Sequence, residues 1–244
     1  MWTDDRLAAL PVVGGFRQRG MEMTRLETFT DAAFAFALTL LVISFDNIPQ
    51  SFTELVEALK NIPAFAVSFA LISLFWFAHH KWSRRFGLDD TLTVVISLSF
   101  VFVTLIYVFP LRLVASALLA WLTDDWISFE MTGAGQSPEG IVGFIFVIYG
   151  AGFFAMSGLI ALLYAHALRV AALNLNREER FIGHAEMQTW LIMAASGLLS
   201  VVIAQFGPAS WRIWAGFAYA PLAVVMPVFG ILKSRQWARI SGAA

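Results

Sequence analysis

RLETFTDAAFAFALTLLVISF, residues 25–45, is the stretch that decides how this chain is read. It has the length of a bilayer-crossing helix, which needs roughly 20 predominantly apolar residues. An Arg and an Asp stand at its entrance. Asp31 lies inside the apolar run and is followed by fourteen residues without a charge, with Thr39 the only hydroxyl before Ser44. A carboxylate at membrane depth is costly and faces protein or water rather than lipid. Asp31 therefore either serves function directly or ties this helix to its neighbours.

Composition agrees with a membrane class. The chain has 244 residues, of which 59% are hydrophobic and only 14% charged, and its mean hydropathy is +0.74. These values exceed those of an ordinary soluble domain and suit a protein that crosses the bilayer several times. A net charge of −1 points to no nucleic acid partner. The absence of cysteine excludes disulfides, Cys-ligated zinc and iron–sulfur clusters. Residues 1–24 lack the apolar core of a signal peptide and read as a cytoplasmic or interfacial arm.

Six apolar segments predict an all-α polytopic fold, at about 26–45, 62–79, 92–111, 141–168, 187–206 and 213–232. Pro110 lacks an N–H and predicts a kink or an end to the third helix. Residues 111–122 beyond it either continue that helix or lie at the interface. Lys and Arg set the orientation. With the N-terminus inside, 13 of the 16 basic residues fall on the inner side, leaving Lys60, Arg112 and Arg212 outside. Both termini are then cytoplasmic. The outer loop at 46–63 contains SFTE, a capping-box pattern at Ser51 and Glu54 that predicts a short surface helix. The outer loop at 123–140 is acidic and reads as solvated. The chain divides into an arm (1–24), one membrane domain (25–233) and a cytoplasmic tail (234–244).

Enzyme signatures are missing: there is no GxSxG, HExxH, Walker loop or GxGxxG. His166 ends the fourth span and reads as an interfacial histidine. Nine Trp residues fit an aromatic belt. The second span closes with FWFAHHKWSRRF, residues 75–86. His79 and His80 lack a third ligand nearby in sequence, so no metal site is expected there. Either histidine is a plausible partner for Asp31, and the cluster also serves as a positive-inside anchor. On a helix of 3.6 residues per turn, Phe36, Leu40 and Ile43 fall within about 60° of one another, and Thr39 flanks them. Phe29, Ala32 and Asn47 extend that stripe. Asp31 projects about 140° away from Phe36, towards the second or third helix.

Taken together, these motifs resemble the transmembrane protein 175 family of potassium channels. The first-helix signature is Arg25, then three residues, then Phe29-Thr30-Asp31, with Thr30 where the family usually has Ser. Thr39-Leu40-Leu41 follows in the apolar run. Trp76 with His79 and His80 matches the end of the second helix. Asp89 or Asp90, and then Phe109-Pro110, match the third. Ser97 and Ser99 stand near where the family often has an Asn. The resemblance covers about residues 25–112. It implies a homotetramer in a bacterial-type inner (plasma) membrane, with no cofactor and no enzymatic activity, and with potassium ions as the permeant species. The first helix of each subunit would line the pore. Phe36, Leu40 and Ile43 would form an apolar constriction beside a selectivity hydroxyl at Thr39. Arg25, Phe29, Thr30 and Asp31 would be a structural signature. The alternatives are a secondary transporter for a small ion or solute, or a membrane enzyme or scaffold. A transporter would favour broken helices and internal repeats. An enzyme would need a polar pocket.

Overall fold

The computed structural model describes residues 4–43, 50–123 and 138–242. The chain opens with a short helix α1 (Asp4–Ala8) and a two-stranded antiparallel hairpin, β1 (Val12–Val13) paired with β2 (Phe16–Arg17). Gly14 and Gly15 both adopt positive φ, 57° and 77°, as the two central residues of a tight hairpin turn require. The first long helix is α2 (Arg25–Ile43). Thr24 starts it by accepting from the Glu27 N–H at 3.1 Å.

The SFTE pattern forms the predicted surface helix, α3 (Phe52–Lys60). Ser51 Oγ accepts from Glu54 N. The Glu54 carboxylate reaches back one residue further than a capping box, to Gln50 N at 2.8 Å. Helix α4 (Ile62–Phe86) runs a full seven residues past His79, because Lys81, Arg84 and Arg85 prolong it until Gly87 turns left-handed at φ 58°. Asp90 caps α5 (Thr91–Leu122) by accepting from Leu92 N and Thr93 N. His166 Nε2 lies 2.8 Å from Asp90 Oδ2. Partial burial raises the Asp90 pKa, but the His166 and Thr93 hydrogen bonds outweigh it and hold the carboxyl below its ordinary range.

Helix α5 passes through Pro110 without ending, so residues 111–122 belong to it. Helices α6 (Pro138–Arg169) and α7 (Arg177–Phe206) follow. Helix α7 begins ten residues before the apolar run at 187. Asn176 and Glu179 form a reciprocal capping box that nucleates it there. The last apolar segment divides. Residues Ala209–Tyr219 form a 3-10 stretch, and α8 (Leu222–Ser241) starts after Pro221 and runs through most of the expected tail. Five stretches among the described residues are long and apolar enough to cross a membrane: α4, most of α5 and α6, α7, and the 3-10 stretch with α8.

Helices α4 to α7 build the core, and α2 lies against α4 and α5. Phe75 sits at its centre, with ring centroids 5.7 Å from Phe153, 5.6 Å from Trp190 and 6.3 Å from Phe100. Phe34 brings α2 into the same cluster, 5.5 Å from Phe100. Helices α6 and α7 touch backbone to backbone where Gly150 faces Gly197. Helix α8 buries no residue at all.

Candidate functional site

Helix α2 is two-sided. Glu27, Thr30, Phe34, Ala37 and Leu41 are buried against the bundle. Their alternating spacing of three and four keeps them on one stripe. The other side is open. Arg25, Thr28, Phe29, Ala32, Ala35, Phe36, Thr39 and Val42 are exposed in the single chain, Phe36 at 55%. Leu40 lies at the boundary, partly buried against the core. Thr39 therefore lies near the middle of the open side rather than on its flank. Its hydroxyl donates to Ala35 O at 2.9 Å, which leaves the oxygen lone pairs available. The side chain of Ile43, together with Ser44, Phe45 and Asn47, lies outside the described residues.

The signature residues split between the two sides. Thr30 is fully buried and donates to Leu26 O at 2.9 Å. Asp31 turns inward and accepts a hydrogen bond from Trp76 Nε1 at 2.8 Å. The partner of Asp31 is thus the indole one turn before the histidine pair, rather than His79 or His80. All three α4 residues share a face at i, i+3 and i+4. The indole has the longest reach among them. Arg25 and Phe29 point outward.

His79 faces α5. Its Nε2 lies 3.1 Å from Ser97 Oγ, and its ring stacks on Phe100 at 5.7 Å. Ser97 thus supplies the polar α4–α5 contact. His80 stacks on Trp76 at 5.4 Å and turns towards Glu27. Sequence reading passed over Glu27. It is 97% buried at the base of α2, and its Oε1 lies 3.8 Å from both His80 Nδ1 and Arg84 Nε. Its position four residues before Asp31, on the same helix face, was the available signal. Lys81 and Arg85 are bonded to Glu186 of α7. The basic end of α4 is therefore a set of interhelical ties. Among the described residues no group of three metal-binding side chains occurs.

A second cluster was also missed. The hairpin of residues 12–17 docks on the C-terminal end of α4, with Phe16 buried edge-on against Phe86 at 5.1 Å and under the Arg85 guanidinium at 5.1 Å. Arg17 and Arg19 both reach Glu179, with contacts of 2.7–2.9 Å to its two carboxylate oxygens. The Glu179 side chain is wholly buried, as is that of Arg19. The next residues pack against the last turn of α4 and its C-cap Gly87. Gly20 N donates to Arg84 O at 3.0 Å, and Arg84 Nη1 donates to Gly20 O at 2.8 Å. The arm is thereby fixed only a few residues before α2 begins.

The Asp31–Trp76 bond makes a prediction. The donor is neutral, so no ion pair is broken by changing Asp31. Trp76→Phe removes the one indole donor and leaves the carboxylate part-buried. Hydrogen bonds to charged groups are worth about 1.5–3 kcal/mol, so Trp76→Phe should lower stability by about that amount, and Asp31→Asn by less, because the carboxamide oxygen still accepts from the indole. Thermal unfolding of both single variants and the double variant checks this. If the two losses simply add, the bond is not what couples these residues.

Comparison with known proteins places these features in context. Residues 25–110 match the family described as endosomal/lysosomal potassium channel TMEM175. A protein of Marivirga tractuosa named "Potassium channel" is 33% identical over 231 residues, covering 92% of this chain and 93% of the relative. The crystal structure of a Thr-to-Ala variant of the potassium channel MtTMEM175, in complex with a nanobody–MBP fusion, superposes with a TM-score of 0.79. It is 31% identical, and the match covers 93% of this chain and 100% of that one. A lysosomal potassium-selective channel TMEM175 homolog from Chamaesiphon minutus shares the fold at a TM-score of 0.54 and 21% identity, over 86% of this chain and 96% of the other. Near-complete coverage on both sides, at more than 30% identity, extends the match well beyond residues 25–110. The chain belongs to the TMEM175 family.

Proposed function

We propose that this protein is a potassium-preferring cation channel of the non-P-loop type, in a bacterial-type inner membrane, with both termini cytoplasmic. Four subunits each contribute α2 to a central pore. The observation that carries this reading is the two-sidedness of α2. One stripe is buried in its own bundle, while the opposite stripe presents Phe36 and Thr39 to whatever lies outside the single chain. One helix cannot enclose a pore, so a ring of copies is needed. The potassium-channel names of the 33%-identical relative and of the 31%-identical structure support the ion.

In this reading Phe36, Leu40 and Ile43 form the constriction. Stacked apolar rings stop ions by dewetting, since an ion that cannot keep its hydration cannot pass. No carboxylate stands on that stripe, so opening proceeds by widening or wetting. Thr39, near the middle of the open side, places four hydroxyl oxygens on the pore beside the apolar rings, where they replace part of the water shell of a potassium ion.

Ion flux into proteoliposomes, measured alongside subunit number in mild detergent, tests the proposal. Four chains per particle and downhill potassium flux in excess of sodium are expected. Leu40→Ser and Ile43→Asn should raise basal flux by easing wetting, and Thr39→Val should leave conduction intact while weakening discrimination against sodium. Unchanged flux in properly assembled Leu40→Ser and Ile43→Asn tetramers removes the gate assignment. A conducting monomer removes the pore.

A further inference from the structure

Helix α8 leans on α7 along a cleft of about 310 Å3 whose walls include Phe181 and Ile182 on one side and Phe229, Lys233, Ser234 and Trp237 on the other. The Phe181 and Trp237 rings meet at 5.1 Å across the cleft. The Lys233 ammonium lies over two rings, 5.3 Å from the Phe229 centroid and 5.8 Å from Phe181. Its polar partner is the neutral Gln236 Oε1 at 3.3 Å. Among the described residues no carboxylate pairs with it. The one acid in the cleft wall, Glu186, already holds Lys81 and Arg85. Three cations therefore face one carboxylate. Arg235 and Arg239 stand exposed on the same end of α8 and add to the positive field.

We propose that this cleft holds one anionic phospholipid, with its phosphate on Lys233 and Ser234 and its glycerol and upper acyl carbons lying along the aromatic rim that Phe181, Phe229 and Trp237 form. Three observations select that occupant. The excess charge demands an anion. The walls demand an apolar body attached to that anion, which excludes free phosphate as a fitting guest. The cleft opens at the basic end of two apolar helices, where a headgroup and the tops of its chains meet protein, and basic pockets between transmembrane helices bind acidic headgroups. Val224, Val228, Ile231 and Leu232 leave the rest of α8 apolar and exposed. A lipid wedged here supplies contacts that α8 does not obtain from its own chain.

The inference rests on membrane placement and not on ion conduction, so its test leaves the pore reading untouched. The full-length protein is purified in mild detergent and titrated with phosphatidylglycerol, phosphatidylcholine or inorganic phosphate. Bound lipid is read by native mass measurement and by the shift in Tm. Phosphatidylglycerol should be retained and should raise Tm, while phosphatidylcholine and inorganic phosphate should do neither. Lys233→Met keeps the stem on the rings but removes the charge. One Lys near the surface contributes about 1 kcal/mol, so retention should fall about fivefold. Trp237→Ala should lower it through the apolar wall alone. Equal retention of the two lipids, or full phosphatidylglycerol retention in Lys233→Met, overturns the proposal. If a variant yields no folded protein, quenching of wild-type tryptophan fluorescence by bromine-labelled acyl chains decides. Equal quenching from brominated phosphatidylglycerol and phosphatidylcholine overturns it as well.

Discussion

Glu179→Ala should undock the N-terminal arm and destabilise the protein more than any pore-face substitution. The carboxylate is wholly buried between Arg17 and Arg19. It also accepts from Asn176 N and from the Arg17 backbone N–H, each at 3.0 Å. Removing it leaves the Arg19 guanidinium buried without a counter-charge. Breaking one side of a buried ion pair commonly costs about 3–5 kcal/mol. The substitution also removes the Glu179 half of the capping box on α7, while Asn176 still accepts from the backbone N–H at 179. Arg17→Ala should cost less, because Arg17 is partly exposed and Arg19 still neutralises the acid. Limited trypsin digestion gives the local readout. Wild type should resist cleavage after Arg17 and Arg19, while Glu179→Ala should be cut there quickly and show a lower Tm. An uncut arm in the variant at unchanged Tm means the clasp does not hold it.

Gly197→Leu should prevent helices α6 and α7 from closing. A Cβ at Gly197 would lie 2.8 Å from Phe154 N and 2.9 Å from Gly150 O. Both are backbone atoms of a helix and cannot swing aside as a side chain can. Small residues let membrane helices approach to this distance, so a leucine forces the two apart. Overpacking alone costs about 1–3 kcal/mol, and the separation also forfeits dispersion contacts along the α6–α7 interface. Gly158→Leu is the control, since a Cβ there meets nothing within 4 Å. The fraction of protein eluting as one sharp peak in detergent should collapse for Gly197→Leu and persist for Gly158→Leu. Equal fractions for the two would show that the close approach is dispensable.

Hydropathy located the long helices because burial in lipid rewards apolar length directly. It missed their ends. The turns of α4 beyond His79 and of α7 before 187 are charged, and backbone hydrogen bonding continues there regardless of polarity. Local caps were the better guide: Ser51 before α3 was read correctly, and Asn176 with Glu179 held the same kind of signal for α7. The inward turn of Asp31 followed from angle alone, but Trp76, His79 and His80 share one face of α4. Choosing among them needed distances. The docked hairpin was harder still. Its strands have two residues each, too few for alternation to register, and its anchor at Glu179 lies about 160 residues away. On α2, periodicity could not separate inside from outside in a helix that is apolar nearly all round. Burial of Phe34, Ala37 and Leu41 did so.

Helices α5 and α6 each have 32 residues. At 1.5 Å per residue they extend about 48 Å, against a hydrocarbon layer of about 30 Å. Apart from Arg112, the part of α5 beyond Pro110 is apolar and largely open, with Leu113, Leu118 and Leu122 exposed. Water is a poor medium for that surface, so these helices must lean, or draw the lipid up around them. Either response makes the thickness of the host membrane an energetic variable, at a fraction of a kcal/mol for each ångström of mismatch. Acyl chain length thus becomes a control on this protein separate from headgroup charge. Lengthening the lipid tails should relieve the strain that shorter ones impose.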